Sequence, residues 1–193
     1  MDIKKRGCIF VGQIKIETMK KTFTKQYLLD NRGCYEVEDV EDIKCINNKV
    51  ITLKQLFRDL PIKDFSWFLV RKCDLTLSEK RLFVLHCAEQ VLPIYEDRYP
   101  NDSRVRDCID ATKKYLNNEL TLDELRVFRS AANAAADAAS AASAANAANA
   151  ADAAADASSA AYAYAVYAAA YAAKSANKEE SFRESILNYI TKL

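Results

Sequence analysis

Glycine and proline are scarce in this chain, with three of each in 193 residues. So little punctuation, beside so much alanine, points to a mostly helical protein. Net charge is almost absent at +1, which removes the bulk signature of a nucleic-acid or membrane-surface binder. No stretch of about 18 apolar residues runs without polar interruption, so no membrane span is expected. The six cysteines (Cys8, Cys34, Cys45, Cys73, Cys87 and Cys108) include no C-x-x-C pair, and their spacing does not support a zinc site. The apolar run Cys8 to Val11 is too short for the core of a secretory signal and is broken by Gly12. Reduced thiols and a cytoplasmic location are the expectation. Histidine occurs once, at His86, which leaves acid–base chemistry a single imidazole to work with.

What the chain has in excess is alanine. Between Ala131 and Ala173, 28 of 43 residues are Ala, none is Gly, Pro or Thr, and the only charges are Asp137, Asp152 and Asp156. Alanine has the best intrinsic helix propensity, so this segment reads as helix. Its side chains let a neighbouring backbone come close and offer nothing for acid–base chemistry, so the segment speaks for packing. The lack of Thr argues against an ice-binding face. A single helix from Leu122 to Asn177 would be about 84 Å long at 1.5 Å per residue. A compact domain of this length is only about 35–40 Å across, so a break is required. Ser140, Ser143, Asn146, Asn149 and Asp152 step by three, and each step drifts about 60° round a 3.6-residue helix. The polar stripe has crossed to the opposite side by Asn149. That places the turn at Asn146 to Asn149, with Ser158-Ser159 as the alternative, and gives an Ala-faced helical hairpin.

The fold expected is mainly α, a helical bundle with this tightly packed hairpin and a small β-hairpin or strand near the N-terminus. Residues 1–60 read as a small α/β appendage or extension and 61–193 as the alanine-rich bundle. Gly7 to Glu17 has the β-branched pattern of a strand, and Met19 reads as an alternative start that would make residues 1–18 an extension. Thr24 caps a helix ending near Gly33. Tyr35 to Ile51 reads either as a hairpin turning at Asn47-Asn48 or as a short helix over EDVEDIK. Thr52 caps LKQLFRDL, Asp64 caps FSWFLVRK, and Ser78 caps a long helix in which Pro93 makes a kink or a restart. Pro100-Asn101-Asp102 is a turn, Ser103 or Asp102 caps the next helix, and Asn117-Asn118 ends it. Thr121 with Glu124 forms a capping box. The closing SFRESILNYITKL is an amphipathic helix that docks on the bundle.

Candidate chemistry is thin. His86 and Cys87 are adjacent on a helix and diverge by about 100°, so they form no dyad with each other; Cys108 or Cys73 would have to supply the partner. Glu89, Glu96, Asp97, Asp102, Arg104 and Arg106 cluster near the Pro100 turn, where Arg104 and Arg106 fit ion pairs that fix it. The basic residues Lys4, Lys5, Arg6, Lys15, Lys20, Lys21 and Lys25 are followed directly by the acidic Glu36, Glu38, Asp39, Glu41 and Asp42, so no nucleic-acid surface is expected. Tyr164, Tyr167 and Tyr171 recur at helical spacing, with Tyr162 offset, and read as core or as interface anchors. No catalytic residue, cofactor or metal is implied.

The run LFVLHCAEQVLPIYEDRYPNDSRVRDCIDATKKYL, followed by ELRVFRSAANAAADAA, resembles the alanine-rich immunity proteins encoded near bacterial toxin genes and in phage genomes. The matching positions are Cys87-Ala88-Glu89, Val91-Leu92-Pro93, Tyr99-Pro100, Asp102, Arg104, Arg106, Ile109 and Ala111, and the resemblance covers Leu82 to about Ala173. It implies a non-enzymatic inhibitor in a bacterial cytoplasm that neutralises a protein partner, either a toxin or, for a phage counter-defence protein, a host defence effector. The candidate partner-binding residues are Tyr162, Tyr164, Tyr167, Tyr171, Arg104 and Arg106. A self-associating structural helical protein, forming a homodimer through its Ala faces, is the alternative.

Overall fold

Threonine starts four of the helices, each time by the same chemistry. The Thr24 hydroxyl accepts the Tyr27 amide to open α1 (Lys25–Asp30). Thr52, Thr76 and Thr121 each form a capping box, with Gln55, Glu79 and Glu124, to open α3 (Leu53–Asp59), α5 (Leu77–Glu96) and α7 (Leu122–Ala138). The cap of α5 is therefore Thr76 and not Ser78, because Thr76-x-x-Glu79 supplies the returning carboxylate that Ser78 lacks. Likewise α4 (Ile62–Lys72) begins behind Pro61, and Asp64 lies inside its first turn. A carboxylate there faces the positive end of the helix. The other elements are β1 (Thr22–Phe23), α2 (Val37–Glu41), β2 (Ile51–Thr52), α6 (Arg104–Leu116), α8 (Ala142–Ala155), α9 (Ser159–Ser175) and α10 (Glu179–Lys192). This computed structural model describes residues 22–32, 35–156 and 159–192. The strand expected at Gly7 to Glu17, the basic run ahead of Thr22 and the cap at Gly33 lie outside the described residues.

The architecture is mainly α, with a two-stranded antiparallel sheet near the N-terminus. The sheet pairs Thr22 with Thr52 and Phe23 with Ile51, so its strands are joined through α1 and α2 and not by a tight hairpin at Asn47-Asn48. Of the two readings of that stretch, the short helix is the one present. Pro93 neither splits nor restarts α5, which runs on to Glu96. It sits in the last turn, where its missing amide removes one ladder bond near the helix end.

The alanine segment folds back as expected, but with two breaks in place of one: the favoured site lies inside a helix, and the second break falls just before Ser159, beside the alternative. Asn146 and Asn149 lie inside α8; the chain turns first at Ala139-Ser140-Ala141 and again after Ala155. Three helices share the segment, with α8 and α9 as the tightly packed pair. The drifting polar stripe misplaced the turn because within α8 it runs only from Ser143 to Asp152, a drift of about 180° that stays on the half-buried side of the helix. Helix α8 packs against α5, α6, α7 and α9, with Ala144, Ala147, Ala148, Ala150, Ala151, Ala153, Ala154 and Ala155 buried, while one narrow side stays open: Ala142 is exposed and Ala145, Asn146, Asn149 and Asp152 are half-buried. The polar residues left on it are answered locally. The Asn146 amide donates to the Ala142 carbonyl at 2.8 Å, and Asp152 meets Arg129 of α7 at 3.2 Å.

Asparagine does the work of the missing glycines at two helix ends. Asn118 and Asn177 have φ of 60° and 56°, and both close Schellman motifs. The Glu119 amide donates to Lys114 and the Lys178 amide to Ala173, at 2.8 and 2.7 Å.

Candidate functional site

Two places on the bundle hold the residues singled out from the sequence. The first is the Pro100 turn. Asp102 is its hub: it accepts the Tyr95 hydroxyl at 2.6 Å and a fork from Arg104 at 2.9 and 2.6 Å. The Arg104 fork, joined by Tyr95, holds the Asp102 carboxyl well below the usual carboxylate range. Burial, and then Asp102, push the Tyr95 phenol up to about 12. Arg106 forks onto Glu96 of α5 at 2.5 and 2.6 Å. Tyr99 reaches across to the alanine segment, where its hydroxyl accepts the Ser140 amide at 2.8 Å and lies 3.2 Å from the Ser140 hydroxyl. The α7–α8 corner is thus tied to the turn between α5 and α6. Both arginines are committed to carboxylates, and the motif Y-P-x-D-x-R-x-R acts here as a brace.

The second place is the outer face of α9. Tyr164, Tyr167 and Tyr171 fall within about 60° of one another on a 3.6-residue helix, whereas Tyr162 lies about 160° away from Tyr164. The structure follows that wheel. Tyr164 and Tyr171 are 50% and 47% exposed, and Tyr162 is fully buried. The Tyr162 hydroxyl accepts from Arg81 at 3.1 Å, so Tyr162 anchors α9 to α5 and sits inside the molecule. The Tyr167 and Tyr171 rings lie 4.5 Å apart, tilted by 47°. A hydrogen bond with Tyr171 raises the Tyr167 phenol above its ordinary value. Lys174 continues the exposed stretch one turn on. On the inner side Ala165, Val166, Ala168, Ala169, Ala172 and Ala173 are buried. The tyrosines therefore stand on a backbone held from behind. Each ring orders only two side-chain torsions on contact, which suits an interface anchor.

The single histidine has a different partner from those the sequence suggested. His86 Nε2 lies 3.0 Å from the Ser185 hydroxyl of α10, and its ring stacks on Tyr189 with centroids 4.6 Å apart. Burial lowers the His86 pKa below its ordinary value, opposed in part by Ser185 and Glu89. Ser185 lies mid-helix, where its backbone amide is spent on the helix ladder. Glu89 is held by Lys113 at 2.9 Å. Cys73, Cys87 and Cys108 are buried, and burial raises the Cys108 thiol to about 12, which makes it a poor nucleophile. Among the described residues, no group of three or more His, Cys, Asp or Glu is placed to hold a metal ion, and no helix is long and apolar enough to cross a membrane.

Sequence reasoning missed one concavity, enclosed by α1, α2, α3 and α4. Its residues come from four short helices and the loops that join them, between Leu28 and Phe68, and no local spacing announces that they meet.

The family model described as Imm-5 like putative immunity protein matches residues 78–190. That stretch contains the brace at Pro100, the alanine segment and the tyrosine face. No curated protein and no solved structure matches the chain.

Proposed function

Because the chain belongs to the Imm-5 like putative immunity protein family, we propose that it is a non-enzymatic inhibitor that neutralises a toxin by direct binding, with the outer face of α9 as the contact surface. The observation that carries this reading is the exposed Tyr164 and Tyr171, with the half-buried Tyr167 between them, on a helix whose other side is packed. Large amphipathic rings standing on an immobile alanine scaffold offer contact area at small entropic cost. Arg104 and Arg106 contribute indirectly, by holding the α5–α6 turn that carries Tyr99 to the alanine corner. Tyr162 belongs to the support and not to the surface.

The test is neutralisation of a toxin, taken from the open reading frames that flank this gene. Cells expressing that toxin should survive when the intact chain is co-expressed and should die when Tyr164→Ala and Tyr171→Ala are combined. The purified double variant should keep its helicity and bind at least about 30-fold more weakly, as expected if one interface hot spot of about 2 kcal/mol is lost. Full protection by a correctly folded double variant would sink the assignment of the face. Protection that survives with no complex formed would sink the binding mechanism.

A further inference from the structure

Alanine lets α9 pack closely, but it does not by itself say where along its neighbours the helix must stop. Among the described residues of α9, Tyr162 and Val166 are the buried side chains larger than a methyl group; Ala165, Ala168, Ala169, Ala170, Ala172 and Ala173 make up the rest of the inner face. A slide of one turn, four residues or about 6 Å, puts Val166 where Tyr162 stands and Ala170 where Val166 stands. Ala169, Ala172 and Ala173 then replace Ala165, Ala168 and Ala169. Lys174 and Asn177, at the α10 end, enter places now held by buried alanines. The link to α10 spans residues 176–178, so the slide also unwinds a turn there, and the present register is the favoured one. The outer face fares worse. Ala168 comes to stand in place of Tyr164, Tyr171 in place of Tyr167 and Ser175 in place of Tyr171. The three-tyrosine face belongs to one register.

Tyr162 marks that register. Its ring is fully buried, and its hydroxyl accepts from Arg81 Nε at 3.1 Å. The same guanidinium lies over the Tyr115 ring of α6 at 5.4 Å, so Arg81 ties α5 to α6 and α9 at once. After a slide Val166 offers Arg81 no acceptor, and a half-buried cation loses a hydrogen bond. We propose that Arg81 and Tyr162 form a register key: they are positioning residues that stop α9 at the one place where Tyr164, Tyr167 and Tyr171 share its outer face. Choosing one register over another is the best-attested use of a buried polar pair, and a one-turn slide of one helix past a neighbour is an established kind of two-state change. The meaning of the key rests on the reading that this face is the contact surface, but the key itself is measured without a partner.

The experiment measures the distance between spin labels at Arg126→Cys of α7 and Tyr171→Cys of α9, both exposed sites, in the full chain with Cys8 and Cys34 replaced by Ser. Cys45, Cys73, Cys87 and Cys108 are buried and stay unlabelled. One distance is expected for this parent. Tyr162→Ala empties the place that Val166 fills after a slide, so a second population should appear, displaced by up to about 6 Å. Arg81→Met should enrich the same population about ten-fold, as the loss of a charge-assisted hydrogen bond gives. Arg81→Lys keeps a donor and should fall between Arg81→Met and the parent. Combining Tyr162→Ala with Val166→Tyr moves the key by one turn, and a single distance should return at the displaced value. An ordinary stabilising contact would not produce that result. The proposal is overturned if folded Tyr162→Ala and Arg81→Met keep the parent distance, if they give only a broad spread with loss of helicity, or if the moved key restores the parent distance. No toxin enters the measurement, so failure of the tyrosine face as a contact surface would leave its result unchanged.

Discussion

Around α4 the interior is built from Phe23, Leu28, Phe57, Phe65, Leu69 and Phe68; around α8 it is built from eight alanines. The rings of Phe57 and Phe65 meet edge to face at 4.9 Å, and those of Phe23 and Phe68 at 5.0 Å. The first region gains its stability from large side chains, each removing much apolar area from water. The second removes little per residue and gains instead from backbones that approach closely over the length of several helices. One region should fail when a side chain is made smaller, and the other when it is made larger. The two meet where α4 packs on α9, and α10 is pinned to the first: Arg183 lies over the Phe57 ring at 4.7 Å and donates to the Phe57 carbonyl at 2.7 Å.

The largest effect that would break or sharpen this contrast is truncation in the aromatic region. Phe65→Ala should cost about 3–5 kcal/mol in denaturant unfolding, the range for deleting a buried ring. In the alanine region the sign of the size effect reverses. Ala151→Leu should cost about 1–3 kcal/mol by overpacking, although Leu is larger, more apolar and still a good helix former. A neutral or stabilising Ala151→Leu would mean that α8 has room around it. Next in size is the brace. Tyr99→Phe removes the acceptor of the Ser140 amide and should cost about 1 kcal/mol, with the loss seen first as faster amide exchange at the α7–α8 corner.

The smallest expected effect is a pH dependence. Asp102 titrates lower in the folded chain than unfolded, so its contribution is fully present above the ordinary carboxylate pKa and fades as pH falls below it. The intact chain should lose stability on acidification through that range, and Asp102→Asn should show a shallower loss. Parallel pH profiles for the two would remove Asp102 from the account.

The sequence made the helical class legible because Ala and capping threonines are local signals. Thr24, Thr52 and Thr121 could each be read from a few neighbours, and Thr76 carried the same pattern in Thr76-x-x-Glu79. The inward turn of Tyr162 also follows from its position on the helical wheel. The corner at Ser140 could not be read that way. It is set by Tyr99, 41 residues earlier, and by the packing of α8 against four other helices, which leaves one half-buried side for its polar residues. The His86–Ser185 contact and the groove under α1 to α4 were hidden for the same reason, since each joins residues that only tertiary packing brings together.

Amide hydrogen exchange across Ala142–Ala155 tests the central claim most directly, namely that the alanine segment is a packed scaffold with α8 in the middle. Exchange there should be the slowest in the molecule, at the rate of global unfolding, because a helix packed against four others opens only when the bundle does. If α8 instead exchanges as fast as the short, partly exposed α1, the alanine segment is not the core, and the tyrosines of α9 do not stand on a rigid support.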